Sequence, residues 1–378
     1  MSRRGFLGRV GALAPVALVA LKTLRQPSDD PTAKEGGRQR AQAPLSITPA
    51  PTGPETVLGA HAVQLQRTEP QITARITNQA RSYQNPVVGE NCPDPHVMND
   101  GDRFYMVSTS HVLPAFPIRE SFDLVTWRHT GAYVFTDANR PRWAGLRYFW
   151  APELHRVGNL YVAYYTARSK ATNRLCIGAA TASHPLGPYT DIGRPLVSDH
   201  VTVLDPTFLE DEDGKRYLYW KADAGEGDPS GPICGQELTA DGLQLIGDRY
   251  EVVQTDLPWE EHLVEGPSVM KRGQYYYLFY SGGKFNSPAY AVGVARSVSP
   301  LSGFEKHGAP VLRGGGRWRG PGHNSLVHDD GHDYIVYHAW EGDEFRDVRP
   351  GLIDHLVWDE ANWPVIGEGT PREGWTPE

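Results

Sequence analysis

The sequence predicts an all-β protein, a five-bladed β-propeller with four-stranded antiparallel blades around a central channel. Three observations lead there. One segment recurs five times at a spacing of roughly 50–60 residues, a propeller-blade period. Each copy places a Gly, Asp or Asn turn signal ahead of an aromatic-rich strand. No stretch after residue 90 has a long helical period. A β-sandwich also contains many short strands, but only a ring of like units explains the fivefold recurrence.

The first unit is headed by Asp94-Pro95, turns at Asn99-Asp100-Gly101-Asp102 and continues as Phe104-Tyr105-Met106-Val107. The second runs Trp150-Ala151-Pro152-Glu153, Val157-Gly158-Asn159 and Leu160–Tyr165. The third is headed by Asp205-Pro206, turns at Asp211–Gly214 and continues as Tyr217-Leu218-Tyr219-Trp220. The fourth is headed by Glu265-Gly266-Pro267, turns at Lys271-Arg272-Gly273 and enters Tyr275–Tyr280. The fifth runs Gly320–Ser325, Asp329-Asp330-Gly331 and Tyr334-Ile335-Val336-Tyr337. Later halves repeat too. Ile177–Ala182 matches Val292–Ser297, and each leads to Pro-Leu and then to Gly-Pro-Tyr or Gly-Phe. One propeller domain over 88–370 follows.

The first 87 residues differ. Ser2-Arg3-Arg4-Gly5-Phe6-Leu7-Gly8 precedes an apolar run from Val10 to Leu21, the pattern of a bacterial twin-arginine export signal over 1–25. The expected location is therefore outside the cytoplasm (secreted, periplasmic or cell-surface), reached through the twin-arginine machinery. The apolar run is short for a membrane span. Ala41-Gln42-Ala43 has cleavage-type residues but lies far from that run, so cleavage and an uncleaved anchor both stay open. The span 26–87 reads as a flexible linker and leading segment, and the sequence does not place 61–87 on the ring. Residues 1–43 hold eight Lys/Arg and three Asp/Glu, whereas the remainder holds 29 and 42. An acidic body argues against a nucleic-acid or anionic-membrane partner and suits a neutral ligand such as a carbohydrate. Cys92, Cys176 and Cys234 fit neither a disulfide framework nor a zinc motif and read as small buried side chains. The protein is expected to be a monomer.

Equivalent positions in a closed ring converge on its axis, so Asp94, Asp205 and Glu265 should meet in one pocket. Asp-Pro and Gly-Pro also punctuate strand starts, which accounts for any one of them. It accounts poorly for all three, because each would bury a charge without an obvious cationic partner. Glycosidic hydrolysis needs two carboxyl groups in different protonation states, and a third can hold the acid protonated by repulsion.

These segments carry a specific resemblance. Cys92-Pro93-Asp94-Pro95, Phe149–Glu153, Leu204–Phe208, Glu265-Gly266-Pro267-Ser268, Gly320–Ser325 and Ile353–Trp358 resemble, in order and over 90–367, glycoside hydrolase family 43. The resemblance implies that Asp94 is the general base, Glu265 the general acid and Asp205 the carboxylate that tunes and orients the acid. It also implies inversion at the anomeric centre, with the Asp94 and Glu265 carboxyls about 6.5–9.5 Å apart. His323 matches the family's axial histidine, which can sit beside a structural calcium ion in the channel, or else hydrogen-bond across blades. No cofactor is implied for the chemistry itself.

For substrate contacts, Trp150 is a pocket-lining candidate, with a core role as its alternative. Phe116, expected in a loop after the second strand of blade 1, is a candidate subsite wall. Arg349 resembles a sugar-contacting arginine, with Arg346 as competitor, though Arg349-Pro350-Gly351 departs from the usual transition into the strand. His111 and Trp259 are further rim candidates. No appended module is expected after blade 5, which by resemblance favours α-L-arabinofuranosyl substrates. β-Xylosidase or galactan-degrading activity is the alternative within enzymes. A non-catalytic glycan-binding propeller is the alternative outside them, and a protein-interaction propeller fits least.

Overall fold

A computed structural model describes residues 80–377, apart from 346 and 347. The expected export signal, most of the linker and Arg346 lie outside the described residues. After a short strand β1 (Tyr83–Gln84), the chain forms five consecutive four-stranded antiparallel sheets. Blade 1 is β2 (His96–Asn99), β3 (Phe104–Val107), β4 (Ala115–Ser121) and β5 (Arg128–Phe135). Blade 2 is β6 (Trp150–Val157), β7 (Leu160–Arg168), β8 (Leu175–Ala182) and β9 (Thr190–Asp191). Blade 3 is β10 (Val203–Glu210), β11 (Arg216–Ala222), β12 (Ile233–Leu238) and β13 (Leu245–Val253). Blade 4 is β14 (Val264–Arg272), β15 (Tyr275–Gly282), β16 (Ala291–Ser297) and β17 (Glu305–Lys306). Blade 5 is β18 (Trp318–Asp329), β19 (His332–Glu341), β20 (Gly351–Trp358) and β21 (Pro364–Ile366). A final strand, β22 (Gly374–Trp375), pairs with β1.

The innermost strands β2, β6, β10, β14 and β18 neighbour one another in that order, and β18 returns to β2. Both faces of a blade are covered by neighbouring blades. The second strands therefore lose polar alternation and read as continuous buried runs, such as Phe104–Val107 and Tyr217–Trp220. One apolar cluster fills each blade junction. Phe135 and Tyr165 meet between blades 1 and 2, Tyr164 and Trp220 between 2 and 3, and Tyr219 and Tyr280 between 3 and 4. Tyr277 and Tyr337 meet between blades 4 and 5, and Met106 and Val336 between 5 and 1.

The segment that the sequence left unplaced helps close this ring. Asn85 Nδ2 donates to the Ile353 carbonyl (2.8 Å), Tyr83 donates to Asp354 (2.7 Å), and Val88 bridges to Gly351. The folded body therefore extends past the expected 88–370 at both ends. Among the described residues, the first and last strands, β1 and β22, are tied together through backbone pairing, which the repeat pattern does not encode. All three cysteines are buried and unpaired, as expected.

Candidate active site

Five residues stand at equivalent places, on the innermost strands of blades 2 to 5 and just ahead of that of blade 1: Asp94, Ala151, Asp205, Gly266 and His323. All five have a left-handed backbone, with φ of 53°, 41°, 57°, 55° and 46°. In blades 2 to 5 the strand register shifts at this point, the mark of a β-bulge. In blades 1 to 4 the next residue is proline, which has no N–H to leave unpaired. A non-glycine residue in this conformation costs about 1–2 kcal/mol, a strain that functional sites commonly carry. The bulge turns the head of each strand towards the axis and so brings distant carboxylates together.

The equivalence of the three acids needs one correction. Gly266, not Glu265, occupies the ring position in blade 4. Glu265 sits one residue upstream, where the other blades carry Pro93, Trp150, Leu204 and Gly322. Glycine suits 266, because an added Cβ would lie a tight 3.0 Å from the His323 ring on a left-handed backbone. Trp150 and Glu265 are therefore true equivalents, which explains why both reach the pocket.

Asp94, Asp205, Glu265, His323, Trp150 and Arg349 line one cavity of about 170 Å³. Asp94 accepts from Thr109 Oγ1 (2.6 Å) and from Arg349 Nη1 (3.1 Å). Its backbone N–H donates to His338 Nδ1 (3.1 Å). Burial pushes the Asp94 carboxyl up, but the Arg349 guanidinium, with His323 and the Thr109 hydrogen bond, outweighs it and holds the group well below the usual carboxylate range. Burial and Arg349 keep His338 neutral, so it serves as an acceptor rather than a charge. Glu265 meets the opposite environment. Burial and the Asp205 charge push it up to about 7, against the hydrogen bond it accepts from Tyr290 (2.9 Å). Asp205 is itself raised, chiefly by burial, and accepts from the Gly266 N–H (3.0 Å). His323 Nδ1 lies 3.6 Å from Asp94 and 4.0 Å from Asp205, between the two carboxylates and beyond hydrogen-bond distance of either. One carboxyl is thus held ionised and another protonated within a single cavity.

The remaining candidates divide. Trp150 is half-buried, lines the cavity and donates from Nε1 to His111 Nδ1 (2.8 Å), so His111 belongs to the wall as well. Arg349 reaches the pocket despite its Arg-Pro-Gly context, anchored by its N–H on Asn91 Oδ1 (2.8 Å). Phe116 is not a subsite wall. It lies in strand β4 rather than a loop, is fully buried, and packs against Phe135, Phe149 and Tyr165 between blades 1 and 2. The prolines at 114 and 117 suggest a loop, but Pro117 lies within β4 at the start of a bulge, between residues 117 and 119, where the strand register shifts. Trp259 does not line the pocket either. It stacks on Tyr280 and fills the space left by Gly282 and Gly293. Its sequence position gave no sign of that glycine-lined slot.

Sequence reasoning missed Thr109, Tyr290 and Phe285. Phe285 is 44 % exposed, lies against the Arg349 guanidinium and lines the same cavity as Trp150. Tyr290 fits only because residue 322 is glycine, where a Cβ would fall 2.0 Å from its ring. That pairing, between residues far apart in sequence, leaves no local signal.

Two metal hypotheses can be tested against donor chemistry. Calcium takes six to eight oxygen ligands. Around His323 the protein offers one imidazole, and the adjacent carboxylates are already engaged by Arg349, Thr109, Tyr290 and Gly266. That set does not fit a protein-built calcium shell. Further along the inner strands, His96 and Glu153 (two residues past Asp94 and Ala151) and His155 (four past Ala151) cluster closely enough to suggest a second centre. His96 Nδ1, however, accepts from the Leu154 N–H (3.2 Å), so a neutral ring carries its proton on Nε2, the atom that faces Glu153. Glu153 Oε2 is already shared by His155 (2.7 Å) and the Phe208 N–H (3.1 Å). The cluster is a hydrogen-bonded collar rather than an open ligand set.

A sequence model described as Glycosyl hydrolases family 43 matches residues 83–364. The chain is 28 % identical to the extracellular exo-α-(1→5)-L-arabinofuranosidase ArbA of Cellvibrio japonicus, over 73 % of this chain and 86 % of that protein. It is 33 % identical to the β-D-galactofuranosidase xynD of Aspergillus niger, over 65 % of this chain and 72 % of that protein. Among solved structures, a thermostable family-43 glycoside hydrolase superposes with a TM-score of 0.71 at 31 % identity, covering 77 % of this chain and 97 % of the other.

Proposed function

The chain belongs to glycosyl hydrolases family 43, and from that premise we propose that it is an exported, inverting, exo-acting glycosidase that removes α-L-arabinofuranosyl units from plant polysaccharide or oligosaccharide. The observation that carries the reading is the opposed protonation of Asp94 and Glu265 in one cavity. Asp94, ionised, takes a proton from water as the water oxygen attacks the anomeric carbon. Glu265, protonated, gives its proton to the departing glycosidic oxygen as the C–O bond breaks. Asp205 keeps that proton in place by its negative charge, and at the end of the cycle Asp94 holds a proton and Glu265 lacks one. A single displacement of this kind inverts configuration.

The size of the cavity supports removal of single units. About 170 Å³ is below the ~300–1,000 Å³ of drug-sized ligand sites and suits one sugar ring more than a threaded chain. Trp150 and Phe285 offer apolar faces to such a ring, and Arg349 reaches it from beside the base. The extracellular arabinofuranosidase relative supports both the substrate and secretion. The galactofuranosidase relative supports a second substrate reading within the same chemistry.

The test is a panel of 4-nitrophenyl α-L-arabinofuranoside, β-D-galactofuranoside and β-D-xyloside with arabinan, while the first anomer formed is followed by proton NMR. The expected result is fastest release of arabinose as the inverted anomer. Faster release from the galactofuranoside or xyloside would replace the substrate. A retained anomer would remove Asp94 from its role as base. Binding by calorimetry without any release would replace the hydrolase by a glycan-binding propeller.

A further inference from the structure

Four of the five blades share a clasp to the next blade, and the fifth replaces it with a lysine. On the second strand of blades 2 to 5, and two residues past it in blade 1, one residue faces the position just before the left-handed turn. These residues are Thr109, Thr166, Lys221, Ser281 and His338. Four of them accept a hydrogen bond from the left-handed residue of the following blade. Thr109 accepts from Ala151 N–H (2.7 Å), Thr166 from Asp205 (3.0 Å), Ser281 from His323 (2.8 Å) and His338 from Asp94 (3.1 Å). A lysine ammonium has no lone pair to offer. Lys221 instead donates to the Pro229 and Gly231 carbonyls, and the Gly266 N–H is taken by Asp205 Oδ2 (3.0 Å). The broken clasp therefore falls at the junction between blades 3 and 4, where Asp205 must face Glu265.

We propose that Lys221 is a positioning residue for proton donation: by withholding the usual acceptor it makes Asp205 bind the Gly266 backbone beside Glu265, and its buried ammonium lets those two carboxyls share the site. Lys221 is 1 % exposed, and the charged and titratable groups around it are Asp205, Glu265, Asp223, Asp228 and Cys234. Asp223, half-buried, is raised to about 6 by burial and by its acidic neighbours, so part of the surrounding negative charge is already relieved. Burial pulls Lys221 below its ordinary value, while the charges of Asp223, Glu265 and Asp205 support its ammonium on the acid's side of the cavity. The proposal rests on the reading of Glu265 as proton donor.

Two substitutions separate charge from clasp. Lys221→Leu removes the ammonium and supplies no acceptor. The Glu265 titration, read by carboxyl carbon-13 NMR, should rise by about one pH unit, the size expected for losing a nearby opposite charge. The alkaline limb of kcat/KM should follow it. Lys221→Thr restores the acceptor found in blades 1 and 2, draws the Gly266 N–H away and frees Asp205. Its kcat should fall about tenfold below that of the Leu variant at unchanged KM, an amount consistent with a misplaced catalytic group. In an Asp205→Asn background that additional loss should vanish. A Glu265 titration unmoved by Lys221→Leu, or Thr and Leu variants with the same kcat, would overturn the proposal. If the parent protein hydrolyses nothing, the reading of Glu265 as donor fails, while the carboxyl titrations still decide whether Lys221 controls the pair.

Discussion

Two layers of the same five strands teach different lessons. In the upper layer, Asp94, Asp205 and His323 stand on left-handed turns beside Glu265, with cations on some sides and not on others. Two residues further along lies a second polar layer: His96, Glu153, Thr207, Ser268 and Ser325, all buried. There the side chains close on backbone. Ser325 accepts from the Val97 N–H (3.0 Å), His96 from Leu154 (3.2 Å) and Glu153 from Phe208 (3.1 Å), each reaching the next blade. Residue type does not distinguish the layers, since each contains a histidine and a carboxylate. What differs is whether the polar atoms are consumed by the scaffold. In the upper layer the bulge consumes the backbone and leaves carboxyl oxygens facing a cavity. In the lower layer the same chemistry is spent on holding blades together.

The sharpest way to break this contrast is to neutralise one carboxylate in each layer. Asp94→Asn and Glu265→Gln should each cut kcat by about 10²–10⁴-fold, the usual contribution of a positioned acid or base, with little change in thermal stability. Glu153→Ala should do the reverse. It leaves the Phe208 N–H and His155 without their buried acceptor and should cost about 1–3 kcal/mol for each group left unpaired, with kcat within a few-fold of the parent. Turnover on the best glycoside and the midpoint of thermal unfolding decide it. A large loss of turnover in Glu153→Ala with no loss of stability would mean that the lower layer takes part in the chemistry.

A smaller effect is expected from Arg349, because it acts through Asp94. Asp94 must be ionised to accept a proton, and its pKa is depressed in the folded protein. The acid limb of kcat/KM should therefore lie at low pH in the parent. Arg349→Met removes the guanidinium and should move that limb to higher pH by about 1–3 units, the range for loss of an adjacent cation. The alkaline limb, set near 7 by Glu265 losing its proton as pH rises, should stay in place. If instead only KM rises and the acid limb is unmoved, Arg349 serves the sugar and not the base.

How much of this could be read from sequence follows the same division. The ring, its five units and the three carboxylates were legible because turns, prolines and aromatic strands are local signals. So was Trp150, which heads a repeat, whereas His323 and Arg349 were picked out by the family resemblance. The offset of Glu265 was legible in principle, because Gly266-Pro267 aligns with Asp94-Pro95 and Asp205-Pro206, and glycine suits a left-handed position. Phe116 was misread because its prolines mark a bulged strand as readily as a loop. Tyr290, Thr109 and the lower collar were out of reach. Each depends on contacts between neighbouring blades, such as the Tyr290 ring over Gly322, and single-chain periodicity does not report those.

The smallest expected effect concerns metal. A calcium ion beside His323 would have to draw on upper-layer carboxylates that Arg349, Thr109, Tyr290 and the Gly266 N–H already engage, so removing metal tests whether that layer depends on one. Calcium seeks six to eight oxygens, and the carboxylate oxygens near the axis have partners in both layers. Dialysis against a chelator should therefore leave kcat unchanged and move the unfolding midpoint by less than the Glu153→Ala substitution does. Restoring calcium should add nothing measurable. A fall in kcat on chelation that calcium reverses would show that water, not protein, completes a shell beside His323, and that the upper layer is held together by charge the side chains alone do not supply.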